Sequence, residues 1–410
     1  MAGMKTLHMS VAAAIILAAC GGSAAPASAP ASSAAPKPAA PSSAAAKPAP
    51  SEAAKPAASA SASAKPAASA PASAKPAASA AASAAQAGGL KKIKVGTLPT
   101  IGNAPIYIGQ QKGYFKDEGL EVELVPFTSG AEAIPPLASG QVEAANSITP
   151  SAGLINAAAR DLPVRIVADD GSIRDRRNIA NTIIRKELQP NEGQFVDLAT
   201  LKKPVKAAVT APDLVPDAIL KQLLTKAGLK DADIQFQYLG LPDINVGLKN
   251  GNVDVTNSGE PLITIAIQQG LATRWRQMND LYPNMPYSNL LFGPNLREKD
   301  KDAGQRFVKA FLRGVRDFED AVSKNKNKAD IVKIAGEPLR ITPELWDAVQ
   351  QGGGMAYLDP NGRVTIEALQ PIVDFWIQTK AVQVPSFDVK TLVDPSFAQA
   401  AVQSLGTYQT

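Results

Sequence analysis

The sequence predicts an α/β fold of two similar lobes with a ligand cleft between them, and two observations carry that expectation. The first is a gapless internal repeat: Leu137-Ala-Ser-Gly-Gln-Val-Glu-Ala-Ala-Asn-Ser-Ile-Thr-Pro150 returns as Leu248-Lys-Asn-Gly-Asn-Val-Asp-Val-Thr-Asn-Ser-Gly-Glu-Pro261. Each copy reads as a helix end, a glycine stop, a short buried strand carrying Val142 or Val253, an Asn-Ser turn and a proline opening the next helix. The second is the alternation of strand and helix patterns around each copy, which builds parallel βα units. Ligands of open α/β sheets bind beyond the carboxyl ends of the strands, so both Asn-Ser turns are expected to line the cleft.

Taken in order, Lys92–Gly96 reads as a strand, followed by an uncharged loop to Pro105 and a helix stopped by Gly113. Glu121–Val125 alternates as a second strand, Thr128-Ser129-Gly130 opens a helix to Ser139, the first repeat copy follows, and Val164–Ala168 is the fourth strand. The chain is expected to cross to the second lobe near Ser172 to Asn178. There Val205–Val209, a helix from Pro216 to Ala227, alternating Ile234–Tyr238, a helix from Pro242 to Lys249 and the second copy repeat the plan. Leu290-Leu291-Phe292 is read as the return crossing. Beyond Asp302, Phe307, Phe311, Val315 and Phe318 recur at helical spacing and mark a core face. Trp275, Trp346 and Trp376, in apolar contexts, are also assigned to the core.

The amino terminus differs in kind. An apolar run, Val11 to Ala19, too short to span a bilayer, ends in Leu17-Ala18-Ala19-Cys20-Gly21 and resembles a bacterial lipoprotein signal peptide, in which Cys20 receives the lipid. Residues 21 to 90 are Ala, Pro, Ser and spaced Lys with no large apolar side chain before Leu90, the composition of a disordered tether. The domain plan is therefore 1–19 signal peptide, 20–90 lipidated cysteine and tether, 91–173 with 293–410 as lobe 1, and 174–292 as lobe 2. Of the 42 basic and 37 acidic residues, six lysines and one glutamate precede residue 91, leaving 36 of each sign beyond it. The formal charge of +5 thus belongs to the segment before residue 91, and no basic stripe for nucleic acid remains. The single cysteine and the single histidine, His8, both fall in the amino-terminal segment, which excludes disulfides, thiolate clusters and histidine-based catalysis from the rest. No enzyme activity, metal or cofactor is expected.

With the elements placed, Ala104-Pro-Ile-Tyr-Ile-Gly-Gln-Gln-Lys-Gly-Tyr-Phe-Lys-Asp-Glu-Gly-Leu-Glu-Val-Glu-Leu124, then Ser129-Gly130 and Leu137–Val142, resembles the opening of the nitrate/sulfonate/taurine and thiamine-pyrimidine solute-binding family. The likeness extends over most of residues 92 to 410. It implies a type II periplasmic-binding-protein fold, two βα lobes joined by two crossings. It also implies a capture subunit that delivers a small solute to an ABC permease with its ATPase; with the lipid expected on Cys20, a monomer anchored at the extracytoplasmic face of the bacterial membrane is expected. A surface lipoprotein that senses a ligand without a permease is the second class of function.

The loops expected at the cleft nominate Asn103, Ala104, Tyr107, Ser129, Gly130, Ser147, Thr149, Asp170, Asp213, Val215, Ser258, Glu260 and Tyr287 as solute contacts, with Tyr107 and Tyr287 placed to stack a flat ring. Those loops hold Glu132, Asp169, Asp170, Asp213 and Glu260 but no Lys or Arg, so the mouth reads as acidic. A carboxylate repels an anion and suits an amine or ring N–H, which favours a pyrimidine-like or amine-bearing solute over nitrate, sulfonates or taurine. Helix capping is the alternative role for Glu260 and Asp213. One of Arg174, Arg176 and Arg177 swinging into the cleft would restore anion binding.

Overall fold

The computed structural model describes residues 89–192 and 196–409. The signal segment, Cys20 and the tether up to residue 88 lie outside the described residues. Strands follow in chain order as β1 (Lys91–Thr97), β2 (Leu120–Pro126), β3 (Ala144–Ile148), β4 (Arg165–Ser172), β5 (Ala180–Arg185), β6 (Val205–Val209), β7 (Ile234–Tyr238), β8 (Val255–Gly259), β9 (Ala272–Gln277) and β10 (Pro286–Phe292). The longer helices are α1 (Ala104–Gln111), α2 (Gly130–Ser139), α3 (Ala152–Ala159), α4 (Val215–Lys226), α5 (Leu241–Lys249) and α6 (Leu262–Gln268), then α7 (Lys301–Lys324), α8 (Lys328–Leu339), α9 (Pro343–Gln351), α10 (Gln370–Gln378) and α11 (Ser396–Leu405).

Two five-stranded sheets form, with orders β2-β1-β3-β10-β4 and β7-β6-β8-β5-β9. In each, the three strands of the βα units run parallel and an antiparallel strand is inserted beside the repeat strand. That inserted strand is the one entering from the other lobe. The chain leaves β4 for β5, inside the second sheet, and leaves β9 for β10, inside the first. The second crossing therefore lies between Gln277 and Pro286, not at Leu290 to Gly293. Pro286–Phe292 is buried along its whole length because it is flanked by β3 and β4. A strand covered on both edges and both faces carries no alternation by which to recognise it. β9 went unread for a related reason: Thr273, Arg274 and Arg276 interrupt its apolar pattern.

The repeat copies are superimposable in plan. Gly140 and Gly251 both end their helices in the left-handed region, at φ 76 and 68, where a side chain would be strained. Val142 and Val253 are buried just before the strands, at 3% and 0% exposure, and the Asn-Ser pairs are the late residues of β3 and β8 rather than free turns.

Of the carboxyl-terminal helices, α7, α8 and α11 pack on first-lobe elements, while α9 and α10 also reach α6 and α4 of the second lobe. Phe307, Phe311, Val315 and Phe318 of α7 are fully buried, as are Trp346 and Trp376 to within 1%, and Trp275 is at 3%. Phe115, Phe292, Phe307 and Phe397 join α7 and α11 to β10, with ring centroids 5.0–5.7 Å apart, within the range of favourable aromatic contact. At Gly314 a Cβ would fall 2.3 Å from the Pro105 carbonyl oxygen, so a glycine is what lets α7 lie directly against α1.

Candidate solute-binding site

Both sheets turn the carboxyl ends of their repeat strands toward one cavity of about 50 Å³. The first lobe contributes Thr100, Ser129, Gly130, Ser147, Thr149 and, from β10, Tyr287 and Ser288; the second contributes Thr210, Leu214, Asn257, Ser258 and Leu241 among others. Among the described residues no charged side chain lines it.

The first-lobe wall is a hydroxyl network. Thr100 Oγ1 lies 2.7 Å from Ser147 Oγ, Ser147 Oγ 3.0 Å from Ser288 Oγ, and Ser288 Oγ 3.1 Å from Asp170 Oδ2. Ser147 adopts φ 64, a left-handed backbone on a non-glycine residue, the kind of strain that gathers at functional sites. Pairing of β10 with β3 is irregular at this point, between Asn289 and Leu291. Asn146, fully buried, holds the loop in place by donating from Nδ2 to the Gly102 carbonyl, Asn103 Oδ1 and Asp170 Oδ1.

The second-lobe wall is built differently. Asn257 Nδ2 donates to Thr182 Oγ1, and Asn257 Oδ1 accepts from the Tyr287 hydroxyl at 3.0 Å across the cleft. Ser258 Oγ is buried and has no hydrogen-bond partner among the described residues. Helices α2, α4 and α5 start at the cavity, with Gly130, Leu214 and Leu241 in its lining. The positive ends of their backbone dipoles lie there, although Val215 N–H of α4 is already given to the Pro150 carbonyl and Pro216 and Pro242 have no N–H to offer.

Backbone hydrogen bonds clasp the lobes together beside the cavity. Ala152 N–H donates to the Asp213 carbonyl at 2.9 Å, Val215 N–H to the Pro150 carbonyl at 3.2 Å and Ile101 N–H to the Glu260 carbonyl at 3.4 Å.

Of the residues nominated from the sequence, Ser129, Gly130, Ser147, Thr149, Ser258 and Tyr287 line the cavity. The others do not, each for a physical reason. Asn103 is fully buried and donates to the Leu98 carbonyl, and Ala104 packs in the core. Tyr107 shares a face of α1 with Gln110 and Gln111, and that face turns to a separate groove against α8. Asp213 and Val215 meet the other lobe through backbone groups. Asp170 lies behind Ser288, and Glu260, fully buried, accepts from Thr264 N–H of α6 with Arg274 at 3.9 Å. Of the remaining acids, Glu132 accepts from Thr128 N–H and Oγ1, and Asp169 accepts from Ser172 and from Asp359 N–H. The acidic mouth is thus not formed. Two of the three arginines are engaged elsewhere, Arg177 pairing with Glu319 at 2.7 Å and Arg174 standing over the Tyr357 ring, and Arg176 is exposed and outside the cavity lining. Thr100, Thr210 and Leu214 lay in loops assigned to the cleft without being singled out. Ser288 was hidden in the misread β10 and Leu241 in an unremarkable helix start.

Burial dominates the acids here. It pushes the Glu260 and Asp169 carboxyls up to about 7 and Asp170 well above the usual carboxylate range.

Residues 86–336 match the NMT1-like family. The chain is 23% identical over 260 residues to the bicarbonate-binding protein CmpA of Synechococcus elongatus, covering 60% of this chain and 57% of that protein. It is 29% identical over 190 residues to the nitrate import ATP-binding protein NrtC of the same organism, covering 44% of this chain and 28% of that one. The chain thus spans about half or less of the length of these relatives. In fold it is similar to the periplasmic nitrate-binding protein NrtA of Synechocystis PCC 6803, with a TM-score of 0.63 at 16% identity, covering 77% of this chain and 89% of that one. It is also similar to the alkanesulfonate-binding protein SsuA of Xanthomonas axonopodis pv. citri, with a TM-score of 0.59 at 13% identity over 75% and 99% of the chains. The architecture is that of the periplasmic binding proteins, and the relationship read from the Lys-Gly-Tyr-Phe segment is shown. The chain belongs to the NMT1-like family.

Proposed function

We propose that the chain captures a small oxyanion outside the cytoplasmic membrane and delivers it to an ABC permease driven by its ATPase. The observation that carries this reading is the cavity wall: neutral hydroxyl and amide groups from both lobes set among apolar side chains such as Leu98, Ile179 and Leu241, three helix starts and, among the described residues, no charged side chain. Helix starts and N–H groups hold anions without a fixed cation. A space of about 50 Å³ admits roughly four waters at ~10–15 Å³ each, the scale of a planar four-atom anion such as nitrate or bicarbonate. The likeness to a bicarbonate-binding protein and to a nitrate import ATP-binding protein supports the same reading. A pyrimidine-like or amine-bearing solute drew its support from carboxylates at the mouth. With Glu132 and Glu260 bonded to their own helices and Asp170 screened by hydroxyls, that support falls away.

In this reading Cys20 carries the lipid, residues 21 to 90 tether a monomeric binding unit above the membrane, and no reaction is catalysed. Native mass spectrometry of the purified chain is expected to find a small oxyanion released on denaturation; a stoichiometric pyrimidine or amine would overturn the solute assignment. Cys20→Ser is expected to move the protein from the membrane to the soluble fraction, and unchanged partitioning would contradict the anchor.

A further inference from the structure

We propose that Asp170 is a specificity-determining residue: it heads the chain of hydroxyls formed by Ser288, Ser147 and Thr100 and turns their hydrogens toward the cavity, so that this wall selects solutes that accept hydrogen bonds. The inference rests on the reading of the cavity as an oxyanion site. Ser288, Ser147 and Thr100 line the cavity and Asp170 does not. The links from Asp170 Oδ2 outward measure 3.1, 3.0 and 2.7 Å. A hydroxyl has one hydrogen to give, so linked hydroxyls run in one direction, and the group at the buried end fixes which. An ionised Asp170 can only accept. It would draw every hydrogen inward and leave an oxygen lone pair facing the solute at Thr100. A neutral Asp170 donates its own proton to Ser288, and the sequence of donors then ends in a Thr100 hydrogen facing the solute.

Burial favours the neutral acid. Asp170 is fully buried with no cation against it among the described residues, and the uncharged groups that touch its carboxyl, Asn146 Nδ2 at 3.2 Å, Ser288 at 3.1 Å and Ser147, oppose the effect of burial without cancelling it. The elements packed against it, the Gly102–Asn103 loop, β3 and β10, present these neutral side chains to it. Asp169, its neighbour on β4, is a second buried acid that further opposes ionisation. Desolvation raises the Asp170 carboxyl accordingly. Packing is close on the Gly102 side of the linkage, where a Cβ would fall 2.4 Å from Ser147 Oγ and 2.8 Å from Asp170 Oδ2.

The test is calorimetric titration of the full chain with nitrate, which only accepts, and with 4-aminopyrimidine, whose amino group donates beside accepting ring nitrogens, in wild type and three variants whose folding is checked by thermal melts. Asp170→Leu and Ser288→Ala are each expected to weaken nitrate binding by roughly tenfold or more, the effect of losing a hydrogen bond to a charged group. Asp170→Asn, whose amide imitates the neutral acid by donating to Ser288 and accepting from Asn146, is expected to rescue most of the nitrate affinity lost in Asp170→Leu. Ser288→Ala keeps the test open should the leucine variant fail to fold. If wild type binds nitrate but Ser288→Ala leaves its affinity unchanged, or Asp170→Asn tightens it tenfold, the inference is overturned while the oxyanion reading stands. If wild type binds 4-aminopyrimidine and not nitrate, the oxyanion reading itself fails, and the inference with it.

Discussion

The two copies of the repeat deliver the same Asn-Ser pair to the cavity, yet the two serines sit in opposite situations. Ser147 is held in a left-handed backbone and bonded to hydroxyls on either side. Ser258, at the equivalent end of β8, has a buried hydroxyl with no protein partner. The acids behind them differ in the same sense. Asp170 closes the first-lobe network from within, whereas Glu260 turns away to α6. The hydroxyls of one wall are bonded to one another, and the other wall holds a buried hydroxyl, without a partner among the described residues, that is open to a hydrogen bond from a solute. Such a division gives a reason for closure: a solute seated on the first lobe offers the second lobe a hydrogen bond present only in the closed state, and a ligand shifts a population only through such differences.

The largest effect is expected from crowding the assembled wall. Gly102→Val places carbon inside Ser147 and Asp170, so stability should fall by about 1–3 kcal/mol and calorimetry should detect no solute binding. Near-normal affinity in this variant would mean that the wall is not where the solute sits. The two serines separate next. Ser147→Ala should cost both stability and affinity, each by about 1 kcal/mol. Ser258→Ala removes an unsatisfied buried hydroxyl, so melts of the solute-free protein should hold or rise while affinity falls by about 1 kcal/mol. Equal behaviour of the two alanine variants in both assays would erase the comparison.

The smallest effect on binding is expected at Glu260. Burial holds its carboxyl at about 7, above the usual 4.5, so the folded protein keeps this proton more tightly than the unfolded chain does. Its contribution to stability is therefore complete below the unfolded value and is lost as pH rises through about 7. Glu260→Gln should remove that share of the decline, roughly 1–3 kcal/mol between pH 4.5 and 7, and leave solute affinity within about twofold. A steep loss of affinity would return Glu260 to the cleft.

The parallel βα units were legible because each has its own local signature: alternation in Glu121–Val125 and Ile234–Tyr238, glycine stops at Gly140 and Gly251, and prolines at helix starts. The inserted strand β10 was not, since its identity depends on which neighbours cover it, a tertiary fact absent from its own residues. The same limit governs the site. The loops that meet the cavity were identified, and Ser129, Ser147 and Ser258 with them. The direction of each carboxylate could not be read, because whether an acid faces a solute or caps a helix is decided by a partner within a few ångströms. Thr264 N–H takes Glu260 and Thr128 takes Glu132. Once those local bonds are made, an acidic stretch of sequence becomes a neutral wall of hydroxyls.

The most direct measurement is a high-resolution crystal structure of the binding unit soaked with nitrate or bicarbonate and, separately, with 4-aminopyrimidine. The account predicts one oxyanion between the lobes, within hydrogen-bond distance of Thr100 Oγ1 on one side and Ser258 Oγ on the other, and no pyrimidine at that position. A pyrimidine bound there with a carboxylate turned onto it, the cavity refusing both oxyanions, would contradict it.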